Sequence, residues 1–225
     1  MERSGILDLV HTLIFDLSEV LIAGLLGIEK PLAEQLSLSE EHIFRAFGGE
    51  RLQRLCSGEL TEYAYLEQIL QEQAWTTSIA DLKQLIRWNF HTPVPEMDAL
   101  LTRLAARYDL VLLSDHAAEW VQHIRTIHPF LQSFQRLFFS YELKQTKLSP
   151  STFLKVLEAV GRQPDECLFI DDSPRNVAVA HSIGLPGSVF TSAGDLAHKL
   201  VELGILDTEP RQPNTLTPPP YQDRS

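Results

Sequence analysis

Asp16 follows a short apolar run, Thr12–Phe15, and opens the stretch Asp16-Leu17-Ser18-Glu19-Val20. Ser114-Asp115 closes a second run, Leu110–Leu113, and Asp171-Asp172 closes another, Cys167–Ile170. Lys147 stands between the last two, in the loop beyond Tyr141. A carboxylate, a hydroxyl, an ammonium and a carboxylate pair, each ending a separate unit, form a set suited to phosphoryl transfer. Asp16 can attack phosphorus and carry an aspartyl-phosphate. An anion attacking an anion must first be neutralised, by a Mg²⁺ on hard oxygen ligands on one side and by a lysine ammonium on the other. Asp16 and Asp172 are natural oxygen ligands, with Asp171 in or near the same shell. The Ser114 hydroxyl, with backbone N–H groups at the start of the next helix, can hold phosphoryl oxygens. Lys147 would cancel charge on the nucleophile and on the phosphoryl group. Singly, each residue has a plainer reading: a strand-end cap, a helix N-cap, a solvated loop cation, or the approach to a Ser-Pro helix start.

The elements that must position these groups are legible as alternating patterns. The runs Thr12–Phe15, Leu110–Leu113, Leu137–Phe139, Cys167–Ile170 and Ser188–Phe190 lack polar alternation, as strands of a parallel sheet covered on both faces do. Helical-period segments lie between them: Met97–Arg107, Ala117–Ile127, Pro150–Val160, Pro174–Ile183 and Ala193–Leu203. Ser149-Pro150 and Ser173-Pro174 read as N-cap and first-turn proline, and Gly161 and Gly184 as C-terminal caps. The alternation predicts an α/β fold, a doubly wound, mainly parallel Rossmann-like sheet, with chemistry at the carboxyl ends of its strands. Residues 28–92 break the pattern with three or four helices, among them Leu60–Gln71 and Ile79–Trp88, and Pro93 and Pro95 mark the return. The predicted organisation is an α/β core at 1–27 and 93–207, an all-helical insert at 28–92 directly after the first strand, and a disordered tail at 208–225. That tail holds Pro210, Pro213, Pro218, Pro219 and Pro220 of the 13 prolines.

Composition narrows the classes of function. The balance of 19 Lys+Arg against 30 Asp+Glu gives a formal charge of −11 with no basic cluster, which argues against a nucleic-acid partner. The most apolar window, 20–28, is too short to span a bilayer, so no membrane partner is expected either. Glu2 and Asp8 beside Arg3 argue against a signal peptide. Cys56 and Cys167, far apart and without metal-ligand spacing, fit small buried residues of a reduced, soluble cytoplasmic protein. The eight histidines show no ligand spacing; His116, adjacent to Ser114-Asp115, is the one to watch. Arg51, Arg54 and Arg87 are candidates for a second anionic group on a substrate. Trp75, Trp88 and Phe90 read as core of the insert. Oligomeric state is not encoded in any pattern found.

Four segments carry a family resemblance: Leu13-Ile14-Phe15-Asp16-Leu17-Ser18-Glu19-Val20-Leu21, Val111-Leu112-Leu113-Ser114-Asp115, Lys147-Leu148-Ser149-Pro150, and Cys167-Leu168-Phe169-Ile170-Asp171-Asp172-Ser173-Pro174-Arg175-Asn176. The chain resembles a haloacid dehalogenase superfamily hydrolase of subfamily I, with a helical C1-type cap inserted after the first motif, over roughly residues 10–205. The resemblance implies Asp16 as nucleophile, Lys147 as charge-neutralising lysine, and Ser114, with Asp115 beside it, at the substrate phosphate. It implies Mg²⁺ on Asp16, Asp172 and the Ser18 carbonyl, supported by Asp171 and Asn176. The expected activity is that of a Mg²⁺-dependent phosphatase acting on a small phosphorylated metabolite. Two positions depart from the pattern. Ser18 replaces the second Asp that serves most such phosphatases as general acid and base, help worth roughly 10²–10⁴ in rate. Activated leaving groups, such as acyl or anomeric phosphates, would need that acid least. Asp115 stands where relatives often have Asn, and Asp115 or Glu19 could replace the missing acid. Two rivals remain: a metal-free 2-haloacid dehalogenase, which Ser18 suits and Asp171-Asp172 opposes, and a catalytically weak phosphate-binding or regulatory protein.

Overall fold

The computed structural model describes residues 10–207, so the tail predicted at 208–225 lies outside the described residues. β1 (Thr12–Phe15) is followed by α1 (Glu29–Leu36), α2 (Glu40–Phe47), α3 (Gly49–Cys56), α4 (Glu62–Gln73) and α5 (Ile79–Phe90). Next come α6 (Met97–Ala105), β2 (Asp109–Ser114), α7 (Ala118–Ile127), β3 (Arg136–Phe139), a one-turn α8 (Ser140–Leu143) and α9 (Pro150–Val160). β4 (Cys167–Asp171), α10 (Pro174–His181), β5 (Gly187–Val189) and α11 (Ala193–Glu202) complete the order. Among the described residues the strands form one parallel sheet in the order β3-β2-β1-β4-β5. This is the doubly wound, Rossmann-like arrangement predicted.

Why these segments become buried strands is visible in their two faces. Leu13, Phe15, Leu110, Leu112, Leu168 and Ile170 share one cluster with the leucines of α6 and α11 and with Trp120 of α7. Ile14, Val111, Leu113 and Phe169 face the other way, onto Phe153 and Val156 of α9 and Val177 and Ala180 of α10. Side chains alternate across a strand, so a run buried on both sides must be apolar throughout. From β1 the chain builds outward through β2 and β3, then crosses to β4 and β5. The order therefore reverses between β1 and β4, whose register pairs Phe15 with Ile170. Asp16 and Asp171 consequently leave adjacent strand ends at the crevice where open α/β sheets place ligands.

The insert holds five helices among the described residues, more than the three or four predicted, because α1 and α2 are short and separate. The segments that enter and leave it are tied backbone to backbone: Ala23 N–H donates to Thr92 C=O (2.8 Å) and Val94 N–H to Leu21 C=O (2.9 Å). Tyr65, Ile86 and Phe90 join the same apolar cluster as one face of the sheet. Trp88, read from sequence as core, is instead 76% exposed. Leu82, Ile86 and Phe90 occupy the inward stripe at four-residue spacing, and position 88 falls on the opposite side.

A buried carboxylate reinforces this docking. Glu62 of α4 is 1% exposed and accepts from both terminal nitrogens of Arg87 (2.5 and 2.8 Å) and from the Trp120 indole N–H (2.8 Å). Lys83 Nζ approaches at 3.3 Å. Burial alone would raise the Glu62 carboxyl, but Arg87, Trp120 and Lys83 hold it below its ordinary 4.5. A depressed carboxylate contributes stability that is present above the unfolded value and is lost as pH falls through the folded one. Glu62→Gln is expected to cost about 3 kcal/mol, which for a domain of this size is a melting-temperature loss of roughly 6–12 °C. Melting curves from pH 7 downward should show that gap constant above about pH 5 and closing below it, because both proteins then lack the charge.

Candidate active site

β1 delivers Asp16, which is 5% exposed, into the crevice. Its Oδ1 accepts from Leu17 N–H (2.7 Å) and from Lys147 Nζ (2.7 Å). The same ammonium donates to Asp171 Oδ2 at 2.6 Å, so one buried lysine bridges the ends of β1 and β4. The Lys147 loop is held from below, because the Asp115 carboxylate accepts the Lys147 backbone N–H through both oxygens (3.1 Å each). Asp171 is saturated: its carboxylate also takes Ser173 N–H (2.8 Å) and the Asn176 amide (3.1 and 3.2 Å). Asp172 is half-buried beside it. Oxygens of Asp16, Asp171 and Asp172 lie within 4.8 Å of one another.

The electrostatics of this cluster are unbalanced. Burial raises the Asp16 carboxyl to about 8, with Asp171 and Asp172 adding to the push and only Lys147 opposing it. Lys147 is itself raised; its burial works the other way but is outweighed by Asp16, Asp171 and Asp115. Asp172 and Asp115 are raised by burial as well. When both partners of an ion pair are drawn toward protonation, the cluster holds more negative charge than its one ammonium offsets. A hard, oxygen-liganded dication answers that excess, so the donor set fits Mg²⁺.

Ser18 and Ser114 meet on His116. The Ser114 hydroxyl lies 2.8 Å from His116 Nδ1 and the Ser18 hydroxyl 3.1 Å from Nε2. Burial, and then the charge of Lys147, push the imidazole down to about 3, so it is neutral near pH 7 and offers one donor and one acceptor. The His116 backbone N–H donates to the Ser140 hydroxyl (3.1 Å), which donates to the Cys56 carbonyl (2.6 Å), fastening α3 of the insert to this corner. The sequence flagged His116 by adjacency alone. Ser140 and Cys56 were not foreseen, since nothing local marks them.

The structure thus brings Asp16, Ser18, Ser114, Asp115, Lys147, Asp171, Asp172 and Asn176 to one crevice. A cavity of about 360 Å³ opens over it, lined by Ser18, Asp115, His116, Asp172 and Asn176 from the core, with Gln53, Cys56 and Phe90 from the insert. Glu19 also faces it but is occupied. Its backbone is left-handed (φ 61°), which turns its carboxylate onto the N–H groups of Gly24 (2.8 Å) and Leu26 (3.1 Å). Gly24 lies so close that a Cβ there would meet Ser18 Oγ at 2.6 Å. The three arginines predicted for a second anion point elsewhere: Arg51 pairs with Glu72, Arg54 with Glu59 and Arg87 with Glu62.

A family model of haloacid dehalogenase-like hydrolases matches residues 10–184, well over half of the chain. The chain belongs to that family of hydrolases. A stretch of 65 residues is 42% identical to Flavin mononucleotide hydrolase 1 of Arabidopsis thaliana, described as chloroplastic; it covers 29% of this chain and 26% of that protein. The match thus spans about a quarter of the relative's length. Among solved structures, a haloacid dehalogenase family enzyme of Bacteroides thetaiotaomicron in complex with magnesium and inorganic phosphate superposes with a TM-score of 0.67 at 23% identity, covering 84% of this chain and 98% of that one. A HAD-like family hydrolase from Porphyromonas gingivalis gives 0.70 at 19% identity, over 87% and 98%. L-2-haloacid dehalogenase from Xanthobacter autotrophicus, with chloropropionic acid covalently bound, gives 0.63 at 19%, over 86% and 83%. At such identities the likeness concerns the fold. No helix among the described residues is long and apolar enough to cross a membrane.

Proposed function

We propose that this hydrolase is a Mg²⁺-dependent phosphatase that cleaves a small phosphorylated metabolite through an aspartyl-phosphate on Asp16. The observation that carries the reading is Lys147 Nζ, held at 2.7 Å from Asp16 and 2.6 Å from Asp171 inside an over-acidic cluster. Asp16 and Asp172, with the Ser18 carbonyl, would hold the ion, whose part is to withdraw charge from the phosphoryl oxygens. Lys147 opposes the burial that raises Asp16 and aims its carboxylate, and the ion would supply the further positive charge that holds Asp16 in its attacking, ionised form. Asp171, secured by Asn176 and the Ser173 N–H, fixes Lys147 rather than contacting substrate. In the useful tautomer of His116, Nδ1–H donates to Ser114 and Nε2 accepts from Ser18, leaving the Ser114 proton for a phosphoryl oxygen. The Ser18 proton is then directed away from the leaving oxygen. With Asp115 and Glu19 committed to backbone N–H groups, no strong acid faces the leaving group, which favours substrates whose leaving groups need little protonation.

In this reading residues 28–92 act as the cap over the core at 1–27 and 93–207, excluding water from the crevice. The similarity to a flavin mononucleotide hydrolase, though short, points to the same class of phosphorylated metabolite. Both cysteines are buried free thiols, in keeping with a reducing compartment such as the cytoplasm. A phosphate-release assay on acetyl phosphate, glucose 1-phosphate, 4-nitrophenyl phosphate and flavin mononucleotide tests the proposal. Turnover is expected with Mg²⁺, is lost in EDTA and returns on adding Mg²⁺. Turnover indifferent to EDTA, or halide release from 2-chloropropionate in its place, would overturn it.

A further inference from the structure

A second cavity, of about 240 Å³, adjoins the first and shares Glu19, Leu25, Leu52 and Asp172 with it. Its remaining wall is formed by Leu26, Ile28, Phe44, Phe47, Gly48 and Glu29. Phe44 and Leu26 are 50% and 47% exposed, a large apolar surface left open beside a site full of carboxylates. The wall is built rather than incidental. Glu19 holds the Gly24 and Leu26 N–H groups, and the Asn89 amide donates to the Gly24 and Leu26 carbonyls at 2.7 and 2.8 Å. Both ends of the loop that presents Leu25 and Leu26 are therefore fixed before any ligand arrives, which reduces the ordering cost of binding.

Charge decides what fits. Besides Asp172, which would face the ion, the lining of the second cavity contains two acids, Glu19 and Glu29, and no Lys or Arg. In the first cavity Arg175 is the only Lys or Arg of the lining. In the second cavity a leaving group with its own carboxylate or phosphate would meet Glu19 and Glu29 and find no Lys or Arg to pair with. An uncharged ring would instead cover Phe44 and the leucines, and an apolar cavity of about 150 Å³ already accommodates benzene. We propose that this pocket binds an uncharged, planar or aromatic group on the leaving side of the phosphate ester, whose phosphoryl end lies at Asp16. The inference deepens the phosphatase reading and rests on it for the placement of the phosphoryl end.

The test compares esters of similar primary alcohols, so that the ring is the main variable: benzyl phosphate against ethyl phosphate, with phosphoglycolate as the anionic probe, all in Mg²⁺. Benzyl phosphate is expected to exceed ethyl phosphate in kcat/KM by about tenfold or more, mostly through KM, and phosphoglycolate to fall below both. Phe44→Ala, at a half-exposed position, should bring the benzyl-to-ethyl ratio toward one, whereas Trp88→Ala, outside both cavities, should leave it unchanged. A ratio near one in the wild type, preference for phosphoglycolate, or a ratio unmoved by Phe44→Ala overturns the pocket. If none of these alkyl esters is turned over, turnover of acetyl phosphate and glucose 1-phosphate decides the phosphatase reading, and titration calorimetry with benzylphosphonate against ethylphosphonate decides the pocket. Tighter benzyl binding that Phe44→Ala removes sustains the pocket; equal binding overturns it.

Discussion

Asp16→Asn is expected to lower kcat by roughly 10³–10⁶, the range seen when a catalytic nucleophile is removed, while leaving the fold at least as stable. The two halves follow from one observation. Asn keeps the shape of Asp and can still accept from Leu17 N–H and Lys147 Nζ through its carbonyl oxygen, as Asp16 Oδ1 does at 2.7 Å to each. What it loses is a negative charge that burial already disfavours, since the Asp16 carboxyl is pushed up to about 8. Removing a charge that the surroundings resist does not destabilise. An acid placed where burial disfavours its charge is a pattern typical of groups retained for chemistry. Steady-state phosphate release, acid-quench trapping of labelled phosphoenzyme and thermal melting in EDTA measure the three quantities. Retained turnover, or labelled phosphoenzyme in the variant, would remove Asp16 from the nucleophile's role. A large drop in melting temperature would mean that its charge serves the fold.

The residues with the strongest local signatures were the most legible. Asp16, Ser114 and Asp171 sit where an uninterrupted apolar run meets a polar residue, and a strand buried on both faces leaves few other sites for such a run. β1 is placed at the predicted residues, and the predicted last strand, Ser188–Phe190, is displaced by one to Gly187–Val189. Ser173 caps α10 as its Ser-Pro signal indicates, accepting from Asn176 N–H. Ser149 occupies the N-cap of α9 without a side-chain capping bond, its hydroxyl meeting that of Ser151 (2.9 Å) instead, and the proline at N1 suffices to start the helix. Illegible were the contacts made across long stretches of chain. Ser18 meets His116 98 residues away, Ser140 meets Cys56 84 away, and Glu62 meets Trp120 58 away. No periodicity encodes such pairs: the first depends on β1 lying beside β2 in the sheet, and the other two on how the insert docks against α7 and α8. Arg51, Arg54 and Arg87, whose chemistry suits an anion, are turned instead toward Glu72, Glu59 and Glu62 by how the helices of the insert pack on one another.

Lys147→Met should damage both activity and fold, and a second substitution separates the two. Lys147 is 1% exposed, and its ammonium is the cation paired with Asp16 and Asp171. Breaking a buried pair by removing one partner leaves charge uncompensated and costs about 3–5 kcal/mol. For a domain of this size that is a melting-temperature loss of roughly 6–20 °C. Methionine fills much of the lysine's volume, so a cavity contributes little to the loss. In Lys147→Met/Asp171→Asn the orphaned charge on Asp171 is gone, while the amide can still receive Ser173 N–H. The double variant should therefore regain about half of the lost stability, a coupling that a thermodynamic cycle over the wild type, both single variants and the double reads directly. Turnover should not return, because nothing then neutralises Asp16 or the incoming phosphoryl group from the lysine side. If the double variant were no more stable than Lys147→Met, the loss would come from packing around the lysine stem against Phe169, whose ring lies 5.9 Å from Nζ. If turnover returned with stability, Lys147 would be a structural strut, and neutralisation of the nucleophile would have to come from elsewhere in the crevice.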